Sequence, residues 1–349
     1  MPAVQEKDVI RAIRKVPEPE SGKDLISLGR VKELSLGDGD VSFRILVDPE
    51  RPLSETVIKT IKSEVEAVEG VEKVTIALQQ KPGAAGGPLK KPSPAQPVPG
   101  VKRILAVASG KGGVGKSTVA VNLALALSAE GHRVGLLDAD IYGPSVPTMM
   151  GLQGAQPQVT TDKKIRPIPK YGIDLMSLGF LVDEETPTIW RGPMVHSAVT
   201  QFLREVVWND LDWLVVDLPP GTGDAHLTLT QGVPLDGAVI VTTPQEIAGI
   251  DARKGLKMFD KVGARVVGIV ENMGTFVCPD CGSEHPIFGE GGGRAIAERH
   301  SVPFLGTIPL HPAVTPSGDE GEPIVHAQPD SPIAERFRDI ARRVLRQLG

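Results

Sequence analysis

A glycine-rich run at residues 109–118 carries the clearest chemistry in this sequence. It reads SGKGGVGKST and contains the pattern G-x-x-x-x-G-K-S/T between two apolar segments. That context predicts a phosphate-binding loop, because glycines let successive backbone N–H groups and a helix N-terminus face one anion. Lys116 would reach the outer phosphates of a nucleotide, and the Ser117 hydroxyl would bind Mg²⁺. The predicted nucleotide-binding residues of the loop are Gly110, Lys111, Gly112, Gly113, Val114, Gly115, Lys116, Ser117 and Thr118.

Acidic side chains follow two other apolar runs. Asp138 and Asp140 end one run, and Asp217 ends a later one. If these runs are parallel strands, their carboxyl ends lie at the same edge as the phosphate loop. We then expect Asp140 to orient the attacking water, and Asp138 and Asp217 to support Mg²⁺. An Asp-x-Asp sequence is also ordinary turn chemistry, and the phosphate loop is what favours the catalytic interpretation. Gly221, in the turn after Asp217, is the predicted γ-phosphate sensor through its backbone N–H.

Two cysteines, Cys278 and Cys281, are separated by Pro279 and Asp280. Two intervening residues let both thiolates face one metal ion through a tight turn. Four thiolates are the usual shell of a 4Fe–4S cluster or of structural Zn²⁺, whereas the whole chain has 2 cysteines. A symmetric dimer would bring two pairs together at its two-fold axis. Spacing alone leaves open a zinc site, formed with His285 or by four cysteines across a dimer, and a redox-active dithiol.

These residues require a scaffold that brings several loops to one edge of a sheet. Five short apolar runs bounded by turn residues are typical of strands buried on both faces of a parallel sheet. They span residues 134–137, 213–216, 237–241, 266–270 and 304–308. Helical patterns at residues 195–207 and 248–262 supply crossovers. We predict a doubly wound, mostly parallel α/β sheet of the P-loop NTPase type, with its ligand at the carboxyl ends of the strands.

The chain divides into three predicted segments. Residues 1–80 alternate helical and strand periodicity, which predicts a small α+β domain. Its predicted helices are 9–16 and 54–68, and its predicted strands are 25–34, 41–47 and 71–78. Residues 81–100 are rich in Pro and Gly and favour an extended linker. Residues 101–349 form the predicted ATPase domain with the cysteine pair.

Composition limits the partners of the chain. Lys and Arg number 38 against 43 Asp and Glu, so the net charge of −5 offers no basic field for nucleic acid. The 2 cysteines exclude a disulfide framework and favour a reducing compartment. The first residues lack the pattern of a signal peptide, and no apolar run approaches the ~20 residues of a membrane span. A cytoplasmic protein without nucleic-acid partners is expected.

The phosphate loop contains a second lysine, Lys111, and so resembles the loop of the deviant-Walker-A ATPases, the MinD and nitrogenase iron protein group. The resemblance implies an ATP-sandwich dimer in which Lys111 touches the nucleotide of the other subunit. Lys111, Lys116 and Asp140 are then the predicted catalytic residues of an ATP hydrolase. The resemblance also implies that Asn272 and the loop around Pro309 frame the adenine.

Along almost its whole length the chain resembles the Mrp/ApbC family of iron–sulfur cluster carrier ATPases. The resemblance rests on the phosphate loop, the cysteine pair and the motifs at residues 138–145, 190–193, 217–224 and 271–274. It implies a homodimer that binds a labile 4Fe–4S cluster between its subunits through Cys278 and Cys281. It also implies slow hydrolysis of ATP with Mg²⁺, and transfer of the cluster to apo-proteins, with the cluster assembly machinery as a further partner.

The first 80 residues resemble the small domain of iron–sulfur assembly proteins. That family commonly has a cysteine before the proline that opens the second helix, whereas this chain has Arg51 before Pro52. We therefore expect a docking or regulatory role for the domain rather than thiol chemistry.

A second function fits the same nucleotide motifs. A positioning ATPase of the MinD/ParA type would act through membrane or partner binding, with a structural zinc or redox role for Cys278 and Cys281. Residues 333–348 predict a basic amphipathic helix of the kind that can bind membrane. Such a helix more often packs on its own domain, so membrane binding is not expected.

Overall fold

The computed structural model describes residues 4–18, 22–37, 39–47, 55–80, 96–140, 143–181, 192–221, 235–278 and 280–349. The chain divides into two compact units, Met1–Lys91 and Pro92–Gly349. Most of the predicted linker, residues 81–95, lies outside the described residues. Residues 96–100 pack on the larger unit, where Val98 is buried.

The smaller unit combines a three-stranded sheet with two helices. Its elements are α1 (Glu6–Arg14), β1 (Val31–Leu36), β2 (Asp40–Val47), α2 (Glu55–Glu66) and β3 (Lys73–Gln80). The central strand, β2, is antiparallel to β1 and parallel to β3. Apolar periodicity turns one face of each helix toward the sheet. The resulting core contains Val9, Ile13, Phe43, Ile45, Ile61 and Val65.

One strand of this unit begins later than its sequence predicts. The predicted strand at residues 25–34 is a turn as far as Gly29, and β1 starts only after it. The Asp24 carboxylate accepts hydrogen bonds from the Ser27 backbone N–H at 2.8 Å and from the Ser27 hydroxyl at 2.6 Å. These bonds stabilise a turn in place of a strand. Leu25 is fully buried within the turn, so its apolar character reflects burial rather than pairing.

The larger unit is built on a sheet with nine described strands. They are β4 (Val101–Ser109), β5 (Val134–Asp138), β6 (Ile168–Lys170), β7 (Ile173–Ser177), β8 (Leu211–Asp217), β9 (Gly237–Thr242), β10 (Val266–Val277), β11 (Glu284–His285) and β12 (Phe304–Leu310). They lie in the order β11-β10-β9-β4-β8-β5-β7-β6, and β12 also pairs with β10. Their pairings are parallel except β6 with β7 and β10 with β11. The predicted doubly wound, mostly parallel α/β fold is confirmed.

Helices cover both faces of this sheet. They are α3 (Lys116–Ala129), α4 (Val146–Met149), α5 (Gly192–Glu205), α6 (Glu246–Lys261), α7 (Gly292–His300), α8 (Val314–Asp319), α9 (Ile324–Ala327) and α10 (Pro332–Leu348). The helix α3 is apolar on every side because the sheet and α10 both pack against it. The apolar face of α10, with Phe337, Ile340 and Val344, is buried in the same core. Among the helices described, none combines the length and apolar character that crossing a membrane requires.

All five predicted apolar runs are strands; four extend one to three residues beyond their predicted bounds, and one extends seven residues. The run at residues 266–270 continues as β10 to Val277. The added residues include the buried polar side chains Glu271 and Asn272, which interrupt the apolar pattern. This extension brings β10 from the phosphate loop to the cysteine pair.

Candidate functional site

The phosphate loop joins β4 to α3, and its glycines are required by its shape. Gly115, the residue before α3, has φ of 76°, a left-handed conformation that other residues adopt at a cost. A Cβ atom on Gly115 would also lie 2.2 Å from the side-chain nitrogen of Asn272. At Gly110 a Cβ atom would lie 2.1 Å from the backbone carbon of Asp251. The loop is therefore packed against β10 and α6 in a conformation that only glycine fits.

Lys116 lies among three side chains that the sequence assigns to the same site. Its Nζ is 2.6 Å from Asp217 Oδ1, 3.8 Å from an Asp140 carboxylate oxygen and 3.1 Å from Ser117 Oγ. The Lys116 side chain is 6% exposed and that of Asp217 is fully buried. The carboxyl end of β8 and the start of α3 thus meet through a buried ion pair, because β8 is the parallel neighbour of β4.

Asp138 and Asp217 are buried carboxylates at the ends of adjacent strands, β5 and β8. Burial, and then the charge of Asp217, raise the pKa of Asp138 to about 8. Burial also raises the pKa of Asp217, against the opposing effect of Lys116. Asp138 accepts hydrogen bonds from the Ser177 hydroxyl at 2.8 Å and from the Asp140 backbone N–H at 3.0 Å.

One oxygen of Asp217 fits a cation ligand. Its Oδ2 is buried and has no hydrogen-bond partner among the described residues, while Oδ1 contacts Lys116. Mg²⁺ takes one or two carboxylates and fills its octahedron with phosphate oxygens and water. Such a site could be formed by Ser117, Asp138 and Asp217 together with a nucleotide. The described parts of the chain contain no group of three or more Cys, His, Asp or Glu side chains that could bind a metal without one.

Asn272 and Pro309 both line a cavity of about 130 Å³ beside α3. The side-chain amide of Asn272 donates a hydrogen bond to the Val114 carbonyl of the phosphate loop at 2.9 Å. The next residue, Met273, adopts a strained left-handed conformation, with φ of 57°. The structure therefore brings together the two residues expected to frame the adenine, next to Thr118 of the loop.

Two other predicted residues lie at the rim of the loop. The Gly221 N–H donates to the Ser109 carbonyl at 3.0 Å, so a phosphate-sensing role requires that bond to break. Lys111 is half-buried, and its carbonyl accepts the Ser109 hydroxyl at 2.9 Å. The role predicted for the Lys111 side chain involves a second copy of the chain and stays a prediction.

The cysteine pair lies in the loop of the β10–β11 hairpin. The Cys278 N–H donates to the Ser283 carbonyl at 2.9 Å, and the Gly282 N–H donates to the Cys278 carbonyl at 2.9 Å. Cys278 is half-buried and Cys281 is exposed. Hydrogen bonds that the thiolate of Cys281 accepts lower its pKa: first from the Ser283 hydroxyl, whose oxygen is 3.2 Å from the sulfur, then from the Ser283 backbone, and then from the Cys278 thiol. Because thiolates bind metal, a lower pKa favours ligation.

The alternative zinc site within one chain is not assembled in this structure. His285 is exposed on β11, opposite Phe276. The described residues around the hairpin give Cys278 and Cys281 no third ligand of the His, Cys, Asp or Glu type.

Sequence reasoning missed two positioning contacts. Ser177 ends β7 and hydrogen-bonds Asp138, but β7 was not predicted, because Asp174 interrupts its apolar run. The Val114 carbonyl is a backbone group, so no pattern of side chains could have identified it as the partner of Asn272.

Two family models match this chain. One is described as "NUBPL iron-transfer P-loop NTPase" and matches residues 100–345. The other is described as "Iron-sulfur cluster assembly protein" and matches residues 6–77. The first covers the phosphate loop and the cysteine hairpin, and the second covers the smaller unit.

Relatives and solved structures agree with these matches. The chain is 47% identical over 342 residues to an iron-sulfur cluster carrier protein of Synechocystis sp., covering 96% of each chain. It is 39% identical to a nucleotide-binding protein of Archaeoglobus fulgidus solved in complex with ADP, with a TM-score of 0.57 and coverage of 64% of this chain and 87% of that one. It is 25% identical to the cell division ATPase MinD of Pyrococcus furiosus, with a TM-score of 0.52 and coverage of 70% and 98%.

Proposed function

Because this chain belongs to the NUBPL iron-transfer P-loop NTPase family, we propose that it is an ATP-hydrolysing carrier of 4Fe–4S clusters. Two copies would hold one cluster between them and pass it to apo-proteins. The smaller unit, which matches the iron–sulfur cluster assembly model, would serve as a docking or regulatory domain. The proposal requires a reducing compartment, because the cysteines must remain thiolates.

One observation carries the proposal: a single strand connects the phosphate loop with the thiols. On β10, Asn272 bonds the loop carbonyl of Val114, and six residues later Cys278 begins the cysteine hairpin. Six extended residues span at most about 20 Å. A change in the phosphate loop therefore has a short, rigid route to the cluster ligands. This connection favours a nucleotide-dependent carrier over a positioning ATPase with an unrelated cysteine pair.

The nucleotide chemistry of the proposal follows from the buried polar cluster. Lys116 would exchange its contact with Asp217 for the outer phosphates, and the freed Asp217 carboxylate would then join Ser117 and Asp138 in binding Mg²⁺. Bound Mg²⁺ supplies positive charge to the phosphate oxygens during transfer. Asp140 would orient the attacking water from its position beside Lys116. Lys111 of the second copy would complete each nucleotide site.

The cluster is the cargo of the proposed reaction, and the cysteines are its ligands. Cys278 and Cys281 from each of two copies would supply the four thiolates that a 4Fe–4S cluster takes. The exposed position of Cys281 suits transfer, because an acceptor thiolate can reach the metal there. A buried four-cysteine cage would hold the cluster too securely for delivery.

Anaerobic reconstitution tests the proposal. The full chain is incubated with iron and sulfide, and iron, acid-labile sulfide, zinc and visible absorption are measured for the wild type, Cys278→Ala and Lys116→Ala. About four iron and four sulfide per dimer are expected in the wild type and in Lys116→Ala, and neither in Cys278→Ala. Lys116→Ala should lose ATP turnover. Zinc alone, or equal iron in the wild type and Cys278→Ala, contradicts the carrier function and favours the positioning ATPase.

A further inference from the structure

Two adjacent large apolar side chains are exposed in the turn that follows the cysteine hairpin. Ile287 is 57% exposed and Phe288 is 36% exposed. They occupy the central positions of a turn closed by a hydrogen bond from the Gly289 N–H to the Pro286 carbonyl at 3.2 Å. Central turn positions usually hold Gly, Pro, Asn, Asp or Ser. The turn thus presents two adjacent apolar side chains to the surroundings in a defined conformation.

The turn lies close to the thiols because β11 connects them. Ser283, hydrogen-bonded to the Cys278 backbone, is four residues before Ile287. Four fully extended residues reach about 14 Å, which sets an upper limit on the distance between Ile287 and Ser283. A hydrogen bond from the Ile287 N–H to the His285 carbonyl, at 2.9 Å, ties the turn to the end of β11. The apolar pair therefore directly follows β11, the second strand of the hairpin that carries the cysteines.

The occupant of this surface follows from the number of thiols. The chain has 2 cysteines, and the proposed cargo takes four thiolates. The site is incomplete without a second copy of the chain, and the two-fold axis must pass between the two pairs. A standard interface of about 800 Å² a side corresponds to a disc of about 16 Å radius around such an axis. Ile287, at most about 14 Å from Ser283 of the cysteine loop, lies within that radius, and Phe288 is next to it in the turn.

We propose that Ile287 and Phe288 form an apolar contact between two copies of this chain beside the shared cluster. The inference rests on the proposed function, since the cluster is what brings the two hairpins together. Apolar side chains near the centre of an interface exclude water and contribute most of its binding energy. They would also limit access of water and oxygen to the bound cluster. The pair therefore strengthens the loaded dimer without supplying a ligand.

Sedimentation of the reconstituted protein tests the inference. The full chain is loaded anaerobically, and its dimer dissociation constant is measured from the visible absorption of the cluster during ultracentrifugation. The test variant is Ile287→Ser with Phe288→Ser. The matched control is Val159→Ser, which changes another exposed apolar residue, 67% exposed, outside the hairpin. A second variant, Ile287→Val with Phe288→Leu, keeps the apolar surface.

The serine variant should weaken the loaded dimer at least about tenfold, whereas the control and the conservative variant should match the wild type. An unchanged dissociation constant in a serine variant that still loads iron overturns the inference and leaves the carrier function intact. A serine variant that dimerises normally but no longer delivers its cluster to an apo-protein also overturns it, and assigns the pair to the acceptor. Failure of the wild type to bind iron through Cys278 overturns the proposed function together with the inference.

Discussion

Replacing Lys116 with Met should destabilise the protein even without nucleotide, and more strongly as the pH rises. The Lys116 ammonium lies 2.6 Å from Asp217 and 3.8 Å from Asp140, with every partner at least nine-tenths buried. Removing one member of a buried ion pair costs about 3–5 kcal/mol, because the remaining charge stays buried without its counter-charge. Methionine retains most of the side-chain volume, so the loss reflects charge rather than a cavity.

The pH dependence has a definite sign. Without Lys116, the folded-state pKa of Asp217 rises further above its unfolded value, because burial and the charge of Asp140 remain while the main opposing charge is removed. The folded chain then binds a proton that the unfolded chain releases, so stability is lost as the pH rises between those two pKa values. The wild type, whose Asp217 pKa is also raised, loses stability in the same way up to its own folded-state pKa. The cost of Lys116→Met should therefore grow between that pKa and the higher one of the variant, by up to about 1.4 kcal/mol for each pH unit. It should therefore be smaller at pH 6 than at pH 8.

Urea unfolding followed by tryptophan fluorescence measures this cost in the larger unit. All 3 tryptophans, Trp190, Trp208 and Trp213, belong to the unit Pro92–Gly349, so their emission reports on that unit alone. The midpoint and slope of the transition in nucleotide-free buffer yield the free energy of unfolding at each pH.

Two further variants distinguish the buried pair from a general loss of charge. Lys116→Met combined with Asp217→Asn should recover most of the lost stability, because the unpaired carboxylate is removed as well. Lys102→Met breaks an exposed pair with Asp212 of similar length, 2.8 Å, and should cost less than about 1 kcal/mol. A loss below about 1 kcal/mol for Lys116→Met at pH 8, or equal losses at pH 6 and pH 8, would refute the buried pair as the source of stability.

Two predictions concern the phosphate loop. Gly115→Ala should abolish ATP binding in a fluorescent-nucleotide titration, because the left-handed backbone and the amide of Asn272 both exclude a Cβ atom. The control is Gly131→Ala, which should bind ATP normally: its φ of 89° is also left-handed, but a Cβ atom there would have no atom within 4 Å. Equal ATP affinity in both variants would mean that the loop adapts to a Cβ atom. Asn272→Ala removes the bond to the Val114 carbonyl, and a bond of this kind contributes about 0.5–1.5 kcal/mol, so ATP affinity measured by calorimetry should fall about twofold to thirteenfold. Wild-type ATP affinity in Asn272→Ala would show that the contact between β10 and the phosphate loop does not support nucleotide binding.

The close link between the nucleotide site and the cysteine hairpin distinguishes this architecture from one with two independent sites. Asn272 and Cys278 belong to one continuous stretch, so the hydrogen bond at the loop and the start of the thiol turn share a backbone. The left-handed Met273 lies between them and stores local strain. Strain of this kind persists only where surrounding contacts enforce it, and the neighbours of Met273 are closely packed: a Cβ atom on Gly274 would lie 2.1 Å from the Thr307 side chain, and one on Gly115 would lie 2.2 Å from that of Asn272.

Elements whose residues are close together in the chain could be predicted from their residue types and spacing. The phosphate loop follows from glycine spacing within ten residues, and the five buried strands follow from continuous apolar runs. The two residues between Cys278 and Cys281 predicted a tight turn that carries both thiols. Apolar pattern was insufficient at Leu25, because a buried turn and a strand both require an apolar residue there, and the side-chain bonds of Asp24 decided between them.

Contacts between distant residues depend on how the strands pair in the folded sheet. Lys116 and Asp217 are 101 residues apart, and their 2.6 Å contact depends on β8 pairing with β4. The contact of Ser177 with Asp138 likewise depends on the pairing of β7 with β5. A sequence pattern records what each segment buries, but not which segment packs against it, because that choice depends on the order of strands in the sheet. For the same reason, the exposure of Ile287 and Phe288 could not be predicted from their apolar side chains.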